Sequence, residues 1–125
     1  MGKKKWEVVL YENSHGQCPT EDFLSDLSKV DQKIVVYIQR ALYRLEQYGS
    51  ELRRPYVENL REKIWELRVK THHGLFRFLY FFDDDNIVIT HGFQKKSGDV
   101  PDLEIDKAIE YRKDHFTRKK KENRP

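Results

Sequence analysis

Charged or polar side chains interrupt three apolar stretches in the C-terminal half of the chain. Arg77 breaks the run LFRFLYFF, Arg68 ends the segment KIWELR, and His91 follows IVIT. Burying a charge without a partner is costly, so these residues are candidates for a functional site. Each also has a structural interpretation. Arg77 could pair with Glu66 or with an aspartate at 83–85. Arg68 could be an exposed strand charge, and His91 a core histidine with satisfied hydrogen bonds.

Two adjacent lysines, Lys95 and Lys96, follow His91 in ITHGFQKKSGDVP. They could solubilise a strand end or form the phosphate-facing rim of a site. This set suits the binding and cleavage of a phosphodiester. It comprises two arginines, one histidine and two lysines, and it includes no acidic cluster for a metal. RNA cleavage without a metal needs a base for the 2′-hydroxyl, cations near phosphorus and an acid for the leaving oxygen. Arginine binds phosphate in bidentate geometry and histidine titrates near neutral pH, while attack by a 2′-hydroxyl restricts the substrate to RNA.

The candidate residues fall into two predicted roles. The predicted catalytic residues are Arg68, Arg77, His91 and Lys96, and the predicted RNA-binding residues are Lys95, Lys70 and Lys119. No metal site is predicted, because the pair His72–His73 lies in a turn without further ligands at metal spacing. No cofactor is predicted either.

Composition limits the class of protein. The net charge of +3 permits a nucleic-acid partner without requiring one. The single cysteine, Cys18, fits a reducing compartment. No run approaches the roughly 20 apolar residues of a membrane helix, and the N-terminus does not resemble a secretory signal. We therefore expect a cytoplasmic protein without a membrane partner.

The periodicity of apolar residues predicts the elements that position these side chains. Residues 1–118 are predicted to form one domain, and 119–125 a basic, disordered tail. A short strand at 6–12 precedes a helix that starts near Pro19. Asp31 should cap a second helix, which Gly49 ends. The apolar side of this helix is predicted to comprise Ile34, Ile38, Ala41, Leu42, Leu45 and Tyr48.

The second half of the chain is predicted to form strands and one last helix. YVENL at 56–60 is a candidate short strand, and apolar and polar residues alternate along 63–70. Residues 75–82 resemble a central strand buried on both faces, and 87–93 form the next strand. Short turns between the last three strands predict an antiparallel meander. Arg68, Arg77 and His91 lie on these consecutive strands, so we expect them to be neighbours across the sheet. By alternation, Arg77 lies on the same face of the sheet as Leu79 and Phe81. His91 lies on the same face as Ile89 and Phe93. With a helix at 101–116, whose apolar side includes Leu103, the order is β-α-α-β-β-β-β-α. This order predicts an α+β fold with helices packed on a curved antiparallel sheet.

Three segments together resemble the RelE/ParE superfamily of toxins from bacterial toxin–antitoxin pairs. They are IWELR at 64–68, LFRFLYFF at 75–82 and ITHGFQKKSGDVPDLEIDKAIEYR at 89–112. They are most similar to the phage-associated HigB-type branch, with its W-E-L-R strand, R-containing strand, L-H-x-F-x-K-K segment and P-x-x-E-I-x-x-A helix. The resemblance implies a RelE-like twisted antiparallel sheet packed against an N-terminal helical hairpin. It also implies metal-independent mRNA cleavage on the 70S ribosome and a small helix-turn-helix antitoxin.

The resemblance carries over to individual residues with two departures. Arg68 and Arg77 match strand arginines, of which Arg77 is the better phosphate contact. His91 matches the histidine of the branch, and Lys95–Lys96 its basic pair. In better-studied RelE members lysines on the W-E-L-R strand act as the base. Here that stretch is Ile64-Trp65-Glu66, which leaves the role to His91 or Glu66. In SGDVP, Asp99 stands where a basic residue is typical and Val100 is a poor helix cap.

Three functions fit these residues. The first is a ribosome-associated endoribonuclease toxin. The second is a ParE-like toxin that acts on DNA gyrase as a protein-binding module. The third is a non-catalytic member of the fold that binds RNA or protein. The set of His91, Lys95 and Lys96 favours the first, because a protein-binding toxin does not need that arrangement.

Overall fold

A computed structural model describes residues 5–95 and 97–123. The elements follow in the predicted order, with a short 3₁₀ helix after the second α-helix. They are β1 (Glu7–Leu10), α1 (Pro19–Val30), α2 (Gln32–Tyr48), the 3₁₀ helix (Gly49–Glu51), β2 (Val57–Asn59), β3 (Trp65–Thr71), β4 (Gly74–Asp83), β5 (Asn86–Gln94) and α3 (Asp102–Glu122). The α+β class is confirmed. Among the described residues, no helix is long and apolar enough to cross a membrane.

The five strands form one mixed sheet in the order β1-β5-β4-β3-β2. The predicted meander of β3, β4 and β5 is confirmed, and β2 adds to β3 in antiparallel orientation. The prediction of a wholly antiparallel sheet is wrong at one edge, because β1 pairs with β5 in parallel. A tight turn forces two strands to run antiparallel. No turn links β1 to its neighbour, so the apolar pattern of β1 did not reveal its direction.

The helical hairpin of α1 and α2 covers one face of the sheet. Asp31 caps α2 as predicted, since its carboxylate accepts a hydrogen bond from Lys33 N at 2.9 Å. Four of the predicted apolar positions on α2 are buried in the core: Ile34, Ile38, Ala41 and Leu45. Tyr48 does not belong to this core, because it is 47% exposed.

Helix α3 covers the opposite face. Ile105 and Ala108 are buried there. The prediction that Leu103 belongs to the apolar side of this helix is wrong, because Leu103 is 80% exposed. The helix continues to Glu122. The prediction of a disordered tail is therefore wrong for residues 119–122, which are helical.

Strand β4 is buried on both faces, as its nearly continuous apolar sequence predicted. Phe76, Phe78 and Tyr80 join the core beneath α1 and α2. Leu79 and Phe81 join a second core beneath α3. Arg77 alternates with these last two residues and so lies on the α3 face.

A β-bulge in β5 decides which face His91 occupies. Tyr80 pairs with Ile89 and Leu79 pairs with His91, so Thr90 is an extra residue in β5. The hydroxyl of Thr90 donates to the carbonyl of Leu79 at 3.1 Å. The prediction that His91 shares a face with Ile89 is wrong, because Ile89 belongs to the core beneath α1 and α2. The bulge moves His91 to the α3 face, where Arg77 also lies.

Gly49 provides a test of how tightly the end of α2 packs against Trp6, the residue before β1. Its φ is +50°, and a Cβ built there would lie 2.1 Å from Trp6 Cε2. We expect Gly49→Ala to lower the free energy of unfolding by about 3 kcal/mol, through backbone strain and overpacking. Urea denaturation would measure the loss.

Gly16→Ala is the matched control for this substitution. Gly16 also has a positive φ, of +78°, but its nearest neighbour would be 3.6 Å from the new Cβ. We expect a loss of about 1 kcal/mol from strain alone. Equal losses in the two variants would show that packing against Trp6 contributes nothing.

Candidate active site

A cavity of about 340 Å³ opens between the sheet and the turn that precedes α3. Strand β3 contributes Glu66 and Arg68 to its lining, and β4 contributes Arg77. Asp99, Val100 and Ile105 line the side towards α3. The cavity therefore brings together two of the four predicted catalytic residues.

Arg68 and Arg77 lie directly opposite each other on β3 and β4. Like charges in that relation repel each other, so the pair needs a compensating anion. Glu66 Oε2 lies 3.2 Å from Arg77 Nη1 and 3.9 Å from Arg68 Nε. The structural pairing considered for Arg77 is thus present, and one carboxylate faces two guanidinium groups.

The pairing with Glu66 leaves part of Arg77 unsatisfied. Arg77 is 2% exposed, and its Nε and Nη2 have no hydrogen-bond partner among the described residues. Buried N–H groups are nearly always paired, and a phosphate can accept two of them in bidentate geometry. The side chain of Arg68 is 36% exposed, which places it nearer the mouth of the cavity. The two arginines can therefore contact one anion from different depths.

Burial raises the pKa of Glu66, although the charges of Arg77 and Arg68 oppose the shift. A carboxylate with a pKa closer to neutral accepts a proton more readily than an ordinary one. Glu66 also lines the cavity beside the two arginines. Of the two bases that the sequence left open, Glu66 is the one that the geometry favours.

His91 lies apart from the cavity that the two arginines line. It is buried and does not line the cavity. Its Nδ1 lies 3.0 Å from the hydroxyl of Thr90, and its Nε2 lies 3.2 Å from Glu104 Oε1. Burial lowers the pKa of His91, while Glu104 opposes this shift. Both ring nitrogens have protein partners, which matches the core-histidine interpretation.

The predicted basic residues are spread over three places. Lys95 follows β5 and reaches the edge of the cavity, since its Cε would lie 3.7 Å from a Cβ built on Gly98. Lys96 lies outside the described residues. Lys119 pairs with Asp83 at 2.7 Å, six residues along β4 from Arg77. At roughly 3.3 Å per residue this distance is about 20 Å, so Lys119 is not part of the cavity.

Lys70 lies in a second depression, a groove of about 420 Å³ between α2 and the β2–β3 edge. Arg68 lines both the groove and the cavity, so the two depressions share this one side chain at the edge of the sheet. Arg40 and Arg44 of α2 also line the groove, and the guanidinium of Arg44 lies 4.2 Å from the ring centre of Tyr56. Sequence reasoning missed this groove. The available signal was the four-residue spacing of Arg40 and Arg44, which places both on one helix face.

The chain is a small α+β domain whose cavity contains a buried ion pair, Arg77–Glu66, beside the partly exposed Arg68. Residues 25–113 match the family model described as Phage derived protein Gp49-like (DUF891), and the chain therefore belongs to this family. The family is toxin-like and belongs to the RelE/ParE-like toxin superfamily, which confirms the resemblance at that level. A comparison with curated proteins found no match. The matched region contains every residue named in the cavity lining.

The raised pKa of Glu66 predicts a specific pH dependence of stability. Because the pKa is higher in the folded than in the unfolded chain, the folded state holds the proton to higher pH. Ionising Glu66 therefore costs stability as the pH rises through that interval. We expect the free energy of unfolding of wild type, relative to Glu66→Gln, to fall from about pH 4 towards neutral pH.

Denaturant titrations of both proteins at several pH values would measure this difference. Glu110→Gln, at an exposed position on α3, controls for the loss of one carboxylate. If wild type instead gains stability over Glu66→Gln as the pH rises, the arginines outweigh burial and Glu66 is a poor base.

Proposed function

We propose that this protein is the toxin of a type II toxin–antitoxin pair and that it cleaves mRNA on the ribosome without a catalytic metal. Membership of a toxin-like phage-derived family supports the class. The proposal includes a RelE-like arrangement of the fold and a HigB-like specificity, for which the motifs around Arg68, Arg77 and His91 are the support.

One observation carries the proposed activity. Arg77 lines the cavity beside the buried carboxylate of Glu66, and its Nε and Nη2 have no hydrogen-bond partner among the described residues. An ion pair that served stability alone would be more stabilising with these donors satisfied. Both nitrogens are closed to solvent, so a phosphodiester that entered the cavity would satisfy them after a small movement of the Arg77 side chain, and it would lie close to a proton acceptor.

The chemistry that follows is an internal transesterification. Glu66 accepts the proton of the 2′-hydroxyl, and the 2′-oxygen attacks phosphorus. As the new P–O bond forms, Arg77 and Arg68 stabilise the charge on the phosphoryl oxygens. The bond from phosphorus to the 5′-oxygen breaks, and that oxygen takes a proton. Our candidate to donate it is Lys95, whose side chain lies beside Gly98 of the cavity lining. The products are a 2′,3′-cyclic phosphate and a 5′-hydroxyl.

The groove beside the cavity provides a path for the flanking nucleotides. Arg40, Arg44 and Lys70 can neutralise phosphates, and Tyr56 offers a ring for a base. Arg68 joins this path to the cavity. The groove is a better candidate for the RNA track than Lys119, whose ammonium is paired with Asp83.

The proposed partners follow from the same class. A toxin-like family suggests an antitoxin, and we propose a small helix-turn-helix protein in that role. The 70S ribosome and mRNA are the proposed targets.

A brief expression experiment tests the activity directly, because growth arrest and primer extension on cellular mRNA report cleavage.

The cleavage rates of single-residue variants should distinguish residues that act in the reaction from residues that only support the fold. We expect Glu66→Gln and Arg68→Ala each to lower the cleavage rate by about 100-fold or more, through loss of the base and of a phosphate contact. His91→Gln should stay within about threefold of wild type once the folded fraction is accounted for, because His91 does not line the cavity.

Lys113→Ala, at an exposed position on α3, is the control for this series. Cleavage that survives in Glu66→Gln but disappears in a folded His91→Gln would refute the assignment of the base. DNA damage signalling without mRNA cuts would instead indicate a gyrase-directed toxin. Salt-dependent RNA binding without any cleavage would indicate a non-catalytic member.

Asp99 should weaken RNA binding, since it places a negative charge in the cavity lining. We expect Asp99→Asn to bind a short RNA about fivefold more tightly at low salt, with the gain shrinking as salt increases. Fluorescence anisotropy on catalytically inactive Glu66→Gln protein, with and without Asp99→Asn, would measure the change. An unchanged affinity would place the bound phosphate away from the turn before α3.

A further inference from the structure

Three metal-binding side chains meet at a place that does not line the cavity or the groove. They are Asp31 at the start of α2, and His72 and His73 in the turn between β3 and β4. One ligand atom from each lies within 4.8 Å of the others. The sequence showed only the adjacent histidines, because Asp31 is 41 positions away from His72.

We propose that Asp31, His72 and His73 form a binding site for a zinc ion that joins the β3–β4 turn to the helical hairpin. The site is separate from the proposed RNA cleavage and does not depend on it.

The distances among the ligand atoms suit a tetrahedral ion. His73 Nε2 lies 2.9 Å and His72 Nε2 lies 3.8 Å from the same oxygen, Asp31 Oδ2. Ligands bound to zinc at about 2.0–2.1 Å stand about 3.4 Å apart in a tetrahedron. The observed separations lie on either side of that value. Side-chain movements of less than about 1 Å would bring all three atoms to an ion.

Each ligand is already held by other contacts. The second carboxylate oxygen of Asp31 accepts from Lys33 N, which leaves Oδ2 facing the histidines. The backbone N–H of His73 donates to Thr71 Oγ1, and its carbonyl accepts from Gln94 Nε2 at 2.6 Å. Supporting contacts of this kind orient metal ligands and lower the cost of assembling a site.

The ring of His72 is held against a neighbour on α2. It packs edge-to-face on Tyr37, with 5.8 Å between the ring centres.

The donor set indicates the class of metal. Two imidazoles and one carboxylate suit zinc and similar first-row cations, whereas magnesium prefers oxygen ligands alone. All three side chains are at least partly exposed, so an ion can reach them from solvent. Three protein ligands leave one position for water.

Zinc bound here would link elements that are distant in sequence. The β3–β4 turn also contacts the end of β5 through Gln94, the residue before Lys95. An ion would therefore stabilise the folded chain as a crosslink does. The gain would grow with the concentration of free zinc relative to the dissociation constant.

Thermal unfolding and calorimetric titration of the tag-free full chain with ZnCl₂ test the proposal. We expect one zinc ion per chain and a midpoint raised by about 5–10 °C at a hundredfold excess over the dissociation constant, with no such change from MgCl₂. The readout is independent of RNA cleavage, so its failure would leave the proposed function unaffected.

Two variants remove a ligand while keeping the local structure. Asp31→Asn preserves a good helix cap, and His72→Phe preserves a ring against Tyr37. Both should lose the zinc-dependent shift, while His15→Ala, at an exposed loop histidine, should keep it. An equal shift in all variants, or an equal shift with MgCl₂, would overturn the site. The absence of zinc binding to wild type would overturn it as well.

Discussion

The ion pair between Glu66 and Arg77 is the interaction on which the α3 face of the sheet depends. It lies among apolar residues, where an unpaired charge would cost several kcal/mol. Hydrophobic residues of similar volume often replace such pairs without loss of stability. A pair that leaves two donors unsatisfied is therefore a poor solution for stability alone. Because the pair lies at the cavity, we relate that cost to the phosphate that we propose binds there.

The same face shows why one helix can serve both the core and the site. Ile105 and Ala108 bury α3 against the sheet, and Val100 anchors the turn that precedes it. Arg61 contacts Asp106 at 2.6 Å and so fixes the beginning of α3 to the loop between β2 and β3. This turn also carries Asp99 into the cavity lining. Packing of α3 therefore sets the shape of the cavity, and a change in one affects the other.

Periodicity predicted the number, order and type of the elements well, because long apolar repeats leave few alternatives. The sequence also identified Arg68 and Arg77 correctly as neighbours, since a meander brings consecutive strands together. It did not reveal the direction of β1 or the meeting of Asp31 with two distant histidines. Both depend on the path of the chain in three dimensions, and no local pattern encodes that path.

One extra residue in β5, Thr90, decides the role of His91. His91 lies on the face that carries Arg77, as a site residue should, but its contacts there are those of a core residue. Without the bulge at Thr90, regular pairing would place His91 opposite Phe78, on the face beneath α1 and α2. The bulge turns it towards α3, where Glu104 lies 3.2 Å away. His91 thus reaches the face that carries Arg77, but its ring nitrogens are occupied by Thr90 and Glu104. Its contacts join β5 to α3 beside the cavity, which is why we propose Glu66 and not His91 as the proton acceptor.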